Sequence, residues 1–156
     1  MKRILIFFIL MISDLMVNFV YAEQPKSEKC PVSIEVKHKL PRLKFTDAKG
    51  QLYRSAIHDA AQGPIDFAGH YIMATWGCGA GCVMGAVIDA KSGHVTSLPF
   101  TVSDWPLDVI EPLSYRADSC ILAVRGKLNE RGKTGPHFYK FDGRSFSEIP
   151  KTDNDP

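Results

Sequence analysis

The chain has 156 residues, with 19 Lys and Arg against 17 Asp and Glu and a formal net charge of +2 at pH 7. A balance this near neutral leaves no electrostatic footprint for nucleic acid or for an anionic membrane surface. The length suits one domain with a single, modest core, and no repeat, heptad or linker composition divides it.

Residues 1–22 read as an export signal. Lys2 and Arg3 give a positive start, Ile4 to Ile12 is an unbroken apolar run, and Val20-Tyr21-Ala22 meets the small-residue requirement of a signal peptidase, so cleavage is expected after Ala22. Asp14 and Asn18 interrupt the stretch and make it a poor spanning helix, which needs about 20 apolar residues. Cys30 lies too far beyond Ala22 to accept a lipid. Residues 23–150 are then expected to form one exported α+β domain, periplasmic or secreted, with a disordered tail at 151–156.

Residues 23–31 are a polar lead-in, and 32–36 alternate with period two like a short strand. Residues 37–50 are basic, broken by Pro41 and by a turn from Asp47 to Gly50, and read mostly as loop. Residues 53–62 carry Tyr53, Ala56, Ile57, Ala60 and Ala61 at helical spacing and end at Gly63-Pro64. The chain then turns to strands at 69–76 and 83–89, around a glycine-rich tip at 77–82. A third strand is expected at 94–100, irregular chain at 101–114, and a hairpin from 115–116 and 119–125. A polar loop is expected at 127–136, then a last hairpin from 137–142 and 145–149. This predicts an antiparallel β-meander of about five to seven strands with one helix packed on a face.

Beyond the signal the chain has four cysteines, Cys30, Cys78, Cys82 and Cys120. An even count in an exported chain implies disulfides, with three possible pairings. Nearness at a turn favours Cys78 with Cys82, which leaves Cys30 with Cys120. In the chain-entropy account the long bridge is worth about 4–5 kcal/mol and the short one about 2. The first would hold the fold, and the second would mainly set the shape of a loop.

That loop is the leading candidate site. A closed tip of Gly77, Gly79, Ala80 and Gly81 is either a rigid contact surface, with backbone amides free to form a small anion nest, or a stability staple. Redox dithiols favour C-x-x-C at a helix start, whereas the spacing here is C-x-x-x-C between strands. Zinc on Cys78, Cys82 and His70 would need reduced thiolates and a fourth ligand. Neither a metal nor a cofactor is therefore expected. Trp76 beside the tip is a binding anchor or a lid on the core. His70 could act as a general base if oriented by Asp66, its nearest acid in sequence, or be an ordinary strand histidine; His58 reads as a solvated helix residue. Gly126 to Thr134 has five residues between its glycines where a phosphate loop has four, and Gly135-Pro136 opposes the helix that motif needs. Neither G-x-S-x-G nor H-E-x-x-H occurs.

With F-A-G-H-Y at 67–71, W-G-C-G-A-G-C at 76–82, A-V-I-D-A at 86–90 and a late H-F-Y-K-F strand before Asp142-Gly143, the chain resembles a family of small exported bacterial proteins without an assigned activity. The resemblance spans residues 53–149 and brings no catalytic residues with it. In layout alone the chain is similar to the periplasmic inhibitors of vertebrate lysozyme, which present a disulfide-closed loop between strands. Those loops carry a histidine and an acid, whereas Gly79-Ala-Gly81 offers no polar side chain. The expectation is a non-enzymatic binding protein, of inhibitor or immunity type, that meets an envelope protein through Trp76 and the tip. The alternatives are a small periplasmic hydrolase using His70 and Asp66, and a structural envelope protein.

Overall fold

The computed structural model describes residues 30–37 and 39–150. The expected signal at 1–22 and tail at 151–156 lie outside the described residues.

β1 (Lys44–Phe45) leads into α1 (Ala48–Leu52) and α2 (Arg54–Ala60). Asp47 caps α1, its Oδ1 accepting from the Gly50 amide at 2.6 Å and from the Ser97 hydroxyl at 3.0 Å. The expected turn at Asp47 is thus the start of a helix, since an Asp side chain that can bond an amide three residues on serves either purpose. The helix expected at 53–62 is α2, with Ile57 fully buried against the sheet. Two short helices therefore stand where one was expected.

β2 (Tyr71–Gly79) and β3 (Cys82–Asp89) form a long antiparallel hairpin, in register from Tyr71 opposite Asp89 to Gly77 opposite Val83. Its side chains alternate between two cores. Ile72, Ala74, Ala86 and Ile88 pack with Ile57 and Ala61 on the helical side. Tyr71, Met73 and Val87 enter the larger core on the other side. This two-sided burial explains why β2 and β3 read as nearly continuous apolar runs.

β4 (His94–Ser97) and β5 (Val102–Ser103) follow one another along β3, Val95 opposite Ile88 and Ser103 opposite Cys82. β5 then pairs with β7 (Ile121–Leu128), which also takes β6 (Leu113–Ser114). β8 (Arg131–Phe141) pairs with β7, and β9 (Phe146–Ile149) with β8. β1 lies parallel to β4, so the sheet is mixed and has nine strands among the described residues, more than the antiparallel meander expected. In the larger core Phe67 lies 5.7 Å from Phe141 and Tyr71 meets Phe141 edge-on at 4.9 Å. Four consecutive residues of β7, Ile121 to Val124, are buried.

Three further expectations are corrected. Residues 32–36 form no strand: the Val32 amide bonds Asp118 and the Glu35 amide bonds Gly69, single contacts without a ladder, and Ile34 and Val36 are exposed. Residues 101–114 hold β5 and β6, and the pairing with β7 falls at 113–114 instead of 115–116. The polar loop at 127–136 is the outer end of the β7–β8 hairpin, where Gly135 pairs with Gly126 and Arg131 with Leu128. Its side chains are polar because that end of the hairpin is mostly exposed. Among the described residues no helix is long and apolar enough to cross a membrane.

Candidate functional site

Both expected disulfides are formed, Cys30–Cys120 and Cys78–Cys82, and no described cysteine is free. The pair fits an oxidising extracellular environment. Bridged, Cys78 and Cys82 carry no thiolate.

The strands run nearly to the end of the tip, so the reversal is carried by Ala80 and Gly81 alone. Gly81 has φ +62, and a Cβ there would meet nothing within 4 Å; glycine is needed for the backbone angle and not for space. Gly77, Gly79, Ala80 and Gly81 are all exposed. Trp76 is not part of that exposed set. Its ring stacks on Tyr53 at 5.1 Å and joins the helix-side core, and its Nε1 is buried without a partner.

Beside the tip lies a groove of about 480 Å³. Ala80, Gly81, Cys82, Ser103, Asp104, Trp105 and Glu130 line it. Strand register assembles it: Ser103 pairs with Cys82 on one side and with Lys127 on the other. Glu130 sits in the β7–β8 turn, where Asn129 and Glu130 have φ of 49 and 58. A two-residue hairpin turn between the paired Leu128 and Arg131 takes left-handed angles at both central positions. Here Asn129 clamps the turn, its amide donating to the Thr101 carbonyl at 2.9 Å and its Oδ1 accepting from the Thr101 amide at 3.0 Å. Asp104 is also left-handed, φ 47, and its carboxylate takes Lys127 Nζ at 2.7 Å. Ser103 is 8% exposed, and its Oγ is buried with no hydrogen-bond partner. No basic side chain lines the groove.

His70 sits at the other end of the β2–β3 hairpin, about 30 Å along the strand from the tip. It does not pair with Asp66. Its Nδ1 lies 3.6 Å from Glu35 Oε1 and its Nε2 3.7 Å from Asp89 Oδ1, and Glu35 also takes Lys91 Nζ at 2.7 Å. Asp66 instead accepts the Met73 amide at 2.8 Å. Burial lifts its carboxyl above the ordinary range, against the pull of that hydrogen bond. The F-A-G-H-Y segment makes a tight bend: Phe67 bridges Tyr71, Ala68 has φ 44, and the amides of Ala68 and Gly69 bond Ser119 and Ala117. The bend turns Asp66 and His70 away from each other and into separate bonding networks. Tyr115 packs edge-on against Phe67, and burial, then the charges of Asp66 and Glu111, push its phenol up to about 12.

Sequence reasoning found the tip but missed Ser103, Asp104, Trp105 and Glu130. One signal was available: Asp104-Trp105-Pro106 places a large aromatic in a polar, proline-bearing stretch, and the ring is half-buried against the larger core. The other members of the groove are joined only by cross-strand register, which local pattern does not show.

Compared with known protein families, curated proteins and solved structures, the chain gives no match.

Proposed function

We propose that the chain is an exported binding protein, periplasmic or secreted, that engages an envelope protein through its disulfide-closed tip. The observation that carries this reading is the tip itself: three exposed small residues, Gly79, Ala80 and Gly81, closed by Cys78–Cys82, with Ala80 and Gly81 lining a groove. A loop locked before docking loses little conformational entropy on binding, and the bare Gly79-Ala-Gly81 surface lets a partner approach the backbone closely. An inhibitor or immunity-type role is the most specific form. It accords with the layout shared with lysozyme inhibitors, except that the polar groups here lie in the adjoining groove and not on the loop.

The hydrolase alternative loses its acid, since Asp66 is bonded elsewhere, and would have to use Glu35 or Asp89 with His70. No specific observation favours a purely structural role.

The test is Cys78→Ser combined with Cys82→Ser. The double variant is expected to stay folded, losing about 2 kcal/mol of stability or less. Its affinity for a partner captured from envelope extract is expected to fall about tenfold. Undiminished binding would reduce the bridge to a staple.

A further inference from the structure

We propose that two copies of this chain pair along the outer edge of β2, strand against antiparallel strand, and close into a two-fold dimer with one sheet running through both. The proposal goes beyond the partner reading above and does not depend on it.

β2 has a strand on one side only, β3. Its hydrogen bonds show which residues look to the open side. The Ala90 amide donates to the His70 carbonyl, so the even-numbered residues bond toward β3. The odd-numbered residues face out. There the Tyr71 amide donates to the Phe67 carbonyl, the Tyr71 carbonyl accepts the Asp66 and Phe67 amides, and the Met73 amide donates to Asp66 Oδ1. Strand alternation carries this pattern on to Thr75 and Gly77. Both are exposed, and their outward amides and carbonyls have no partner among the described residues. The bend at 66–67 thus closes the first half of the edge and leaves the second half open.

An open edge is a template for another strand. Elsewhere this protein guards its edges. The end of β8 that β9 does not cover carries Arg131, Lys133 and Pro136, and β9 carries Glu148 and stops at Pro150. Ala74 to Gly79 has neither charge nor proline.

The occupant that fits is a second copy. Thr75 and Gly77 flank Trp76, so antiparallel copies place Thr75 of each opposite Gly77 of the other, each pair exchanging both its bonds about a two-fold axis at Trp76. The lengths agree. Met73, where the bend makes its last bond, and Gly79, where β2 ends, are equally far from Trp76. Each tip therefore ends where the other copy's bend begins. With no charge at the seam, identical edges meet without repulsion. On the helical side the axis falls beside the stacked Tyr53 and Trp76, and Leu52, the chain neighbour of Tyr53, is 75% exposed. That gives the ladder apolar surface to cover.

Sedimentation equilibrium of the oxidised protein is expected to show a mass that rises with concentration toward twice the monomer and no further. Hydrogen exchange at the Thr75 and Gly77 amides should slow about tenfold or more in concentrated over dilute solution, while Ala74 and Trp76, bonded toward β3, are protected in both. Thr75→Lys sets like charges across the seam at an exposed position. It should leave the melting temperature of dilute protein unchanged and move the dimer midpoint about tenfold or more to higher concentration, an effect that salt relieves. Thr75→Pro removes an outward amide and should weaken the dimer without that salt dependence. Ser147→Lys, the same charge placed on β9, should change nothing. A mass that stays at the monomer overturns the proposal, as does a dimer indifferent to both Thr75 variants or an assembly that grows past two copies. If the Thr75 and Gly77 amides gain protection only when envelope extract is added, the edge takes a foreign strand and the second copy is ruled out.

Discussion

Asp89 closes the turn from β3 to β4 with a single side chain. Its Oδ1 accepts the Lys91 amide at 2.8 Å and the Ser92 amide at 3.2 Å, and its Oδ2 accepts the Ser92 hydroxyl at 2.7 Å. Partial burial would raise this carboxyl, but the Ser92 hydroxyl, the two amides and the neighbouring His70 outweigh it and hold the carboxyl below its ordinary value. A carboxyl depressed in the folded state adds stability above its unfolded pKa and loses it as pH falls through the folded one. Asp89→Asn keeps an acceptor and removes the charge. The expected result is a variant less stable than wild type by about 1 kcal/mol at neutral pH, with the difference closing below about pH 4. Thermal melts of both proteins from pH 7 to pH 3 measure this, and a gap that stays constant over that range would show that the charge contributes nothing.

Among the elements, the meeting of β5 with β7 matters most, because it fixes the place of Ser103 in the groove lining. Gly126 permits it: a Cβ there would lie 2.6 Å from Val102 Cγ1 and 2.7 Å from the Ser103 carbonyl oxygen. The Val102 methyl could turn aside, but the Ser103 backbone could yield only by moving the strand. Gly126→Ala is therefore expected to destabilise the fold by about 1–3 kcal/mol and to shift the Ser103 and Trp105 resonances more than those of α2. An alanine variant as stable as wild type would mean that β5 and β7 are less closely held than this contact implies. The same residue marks the limit of what sequence could reveal. By sequence Gly126 falls between the expected strand at 119–125 and the expected polar loop at 127–136, since glycine beside Lys127 and Asn129 looks like a turn when only neighbours along the chain are seen. Its real neighbours, Val102 and Ser103, are more than twenty residues away. The β2–β3 hairpin was legible because its apolar runs and its glycines are local, and so was α2, where Ile57 and Ala61 lie one turn apart. β5 and β6 are two residues each, too short for any period to register, and they form because β7 offers them a ladder.

On the scale of the whole molecule, the two disulfides divide their work by the length of chain they close. Cys78–Cys82 spans four residues and Cys30–Cys120 spans ninety. The long bridge fastens a segment otherwise held by scattered contacts, among them the Val32 amide on Asp118, the Glu35 amide on Gly69 and Lys37 Nζ on the Ala61 and Gly63 carbonyls. Residues 32–36 form no ladder, and the Cys120 amide donates to the Cys30 carbonyl at 3.1 Å directly beside the bridge. Glu35, which this segment carries to His70 and Lys91, depends on the same attachment. Cys30→Ala with Cys120→Ala should therefore cost about 4–5 kcal/mol from the denatured-state term alone, at least twice the loss expected for the tip pair. Hydrogen exchange should show the Glu35 and Gly69 amides losing protection first, while Ile121 to Val124, buried in the larger core, keep theirs until global unfolding. Urea melts of the two double variants side by side give the comparison. If opening the long bridge costs no more than opening the tip, the N-terminal segment is held by its backbone bonds to Asp118 and Gly69 and not by the sulfur link, and the tip bridge becomes as much a part of the scaffold as the long one.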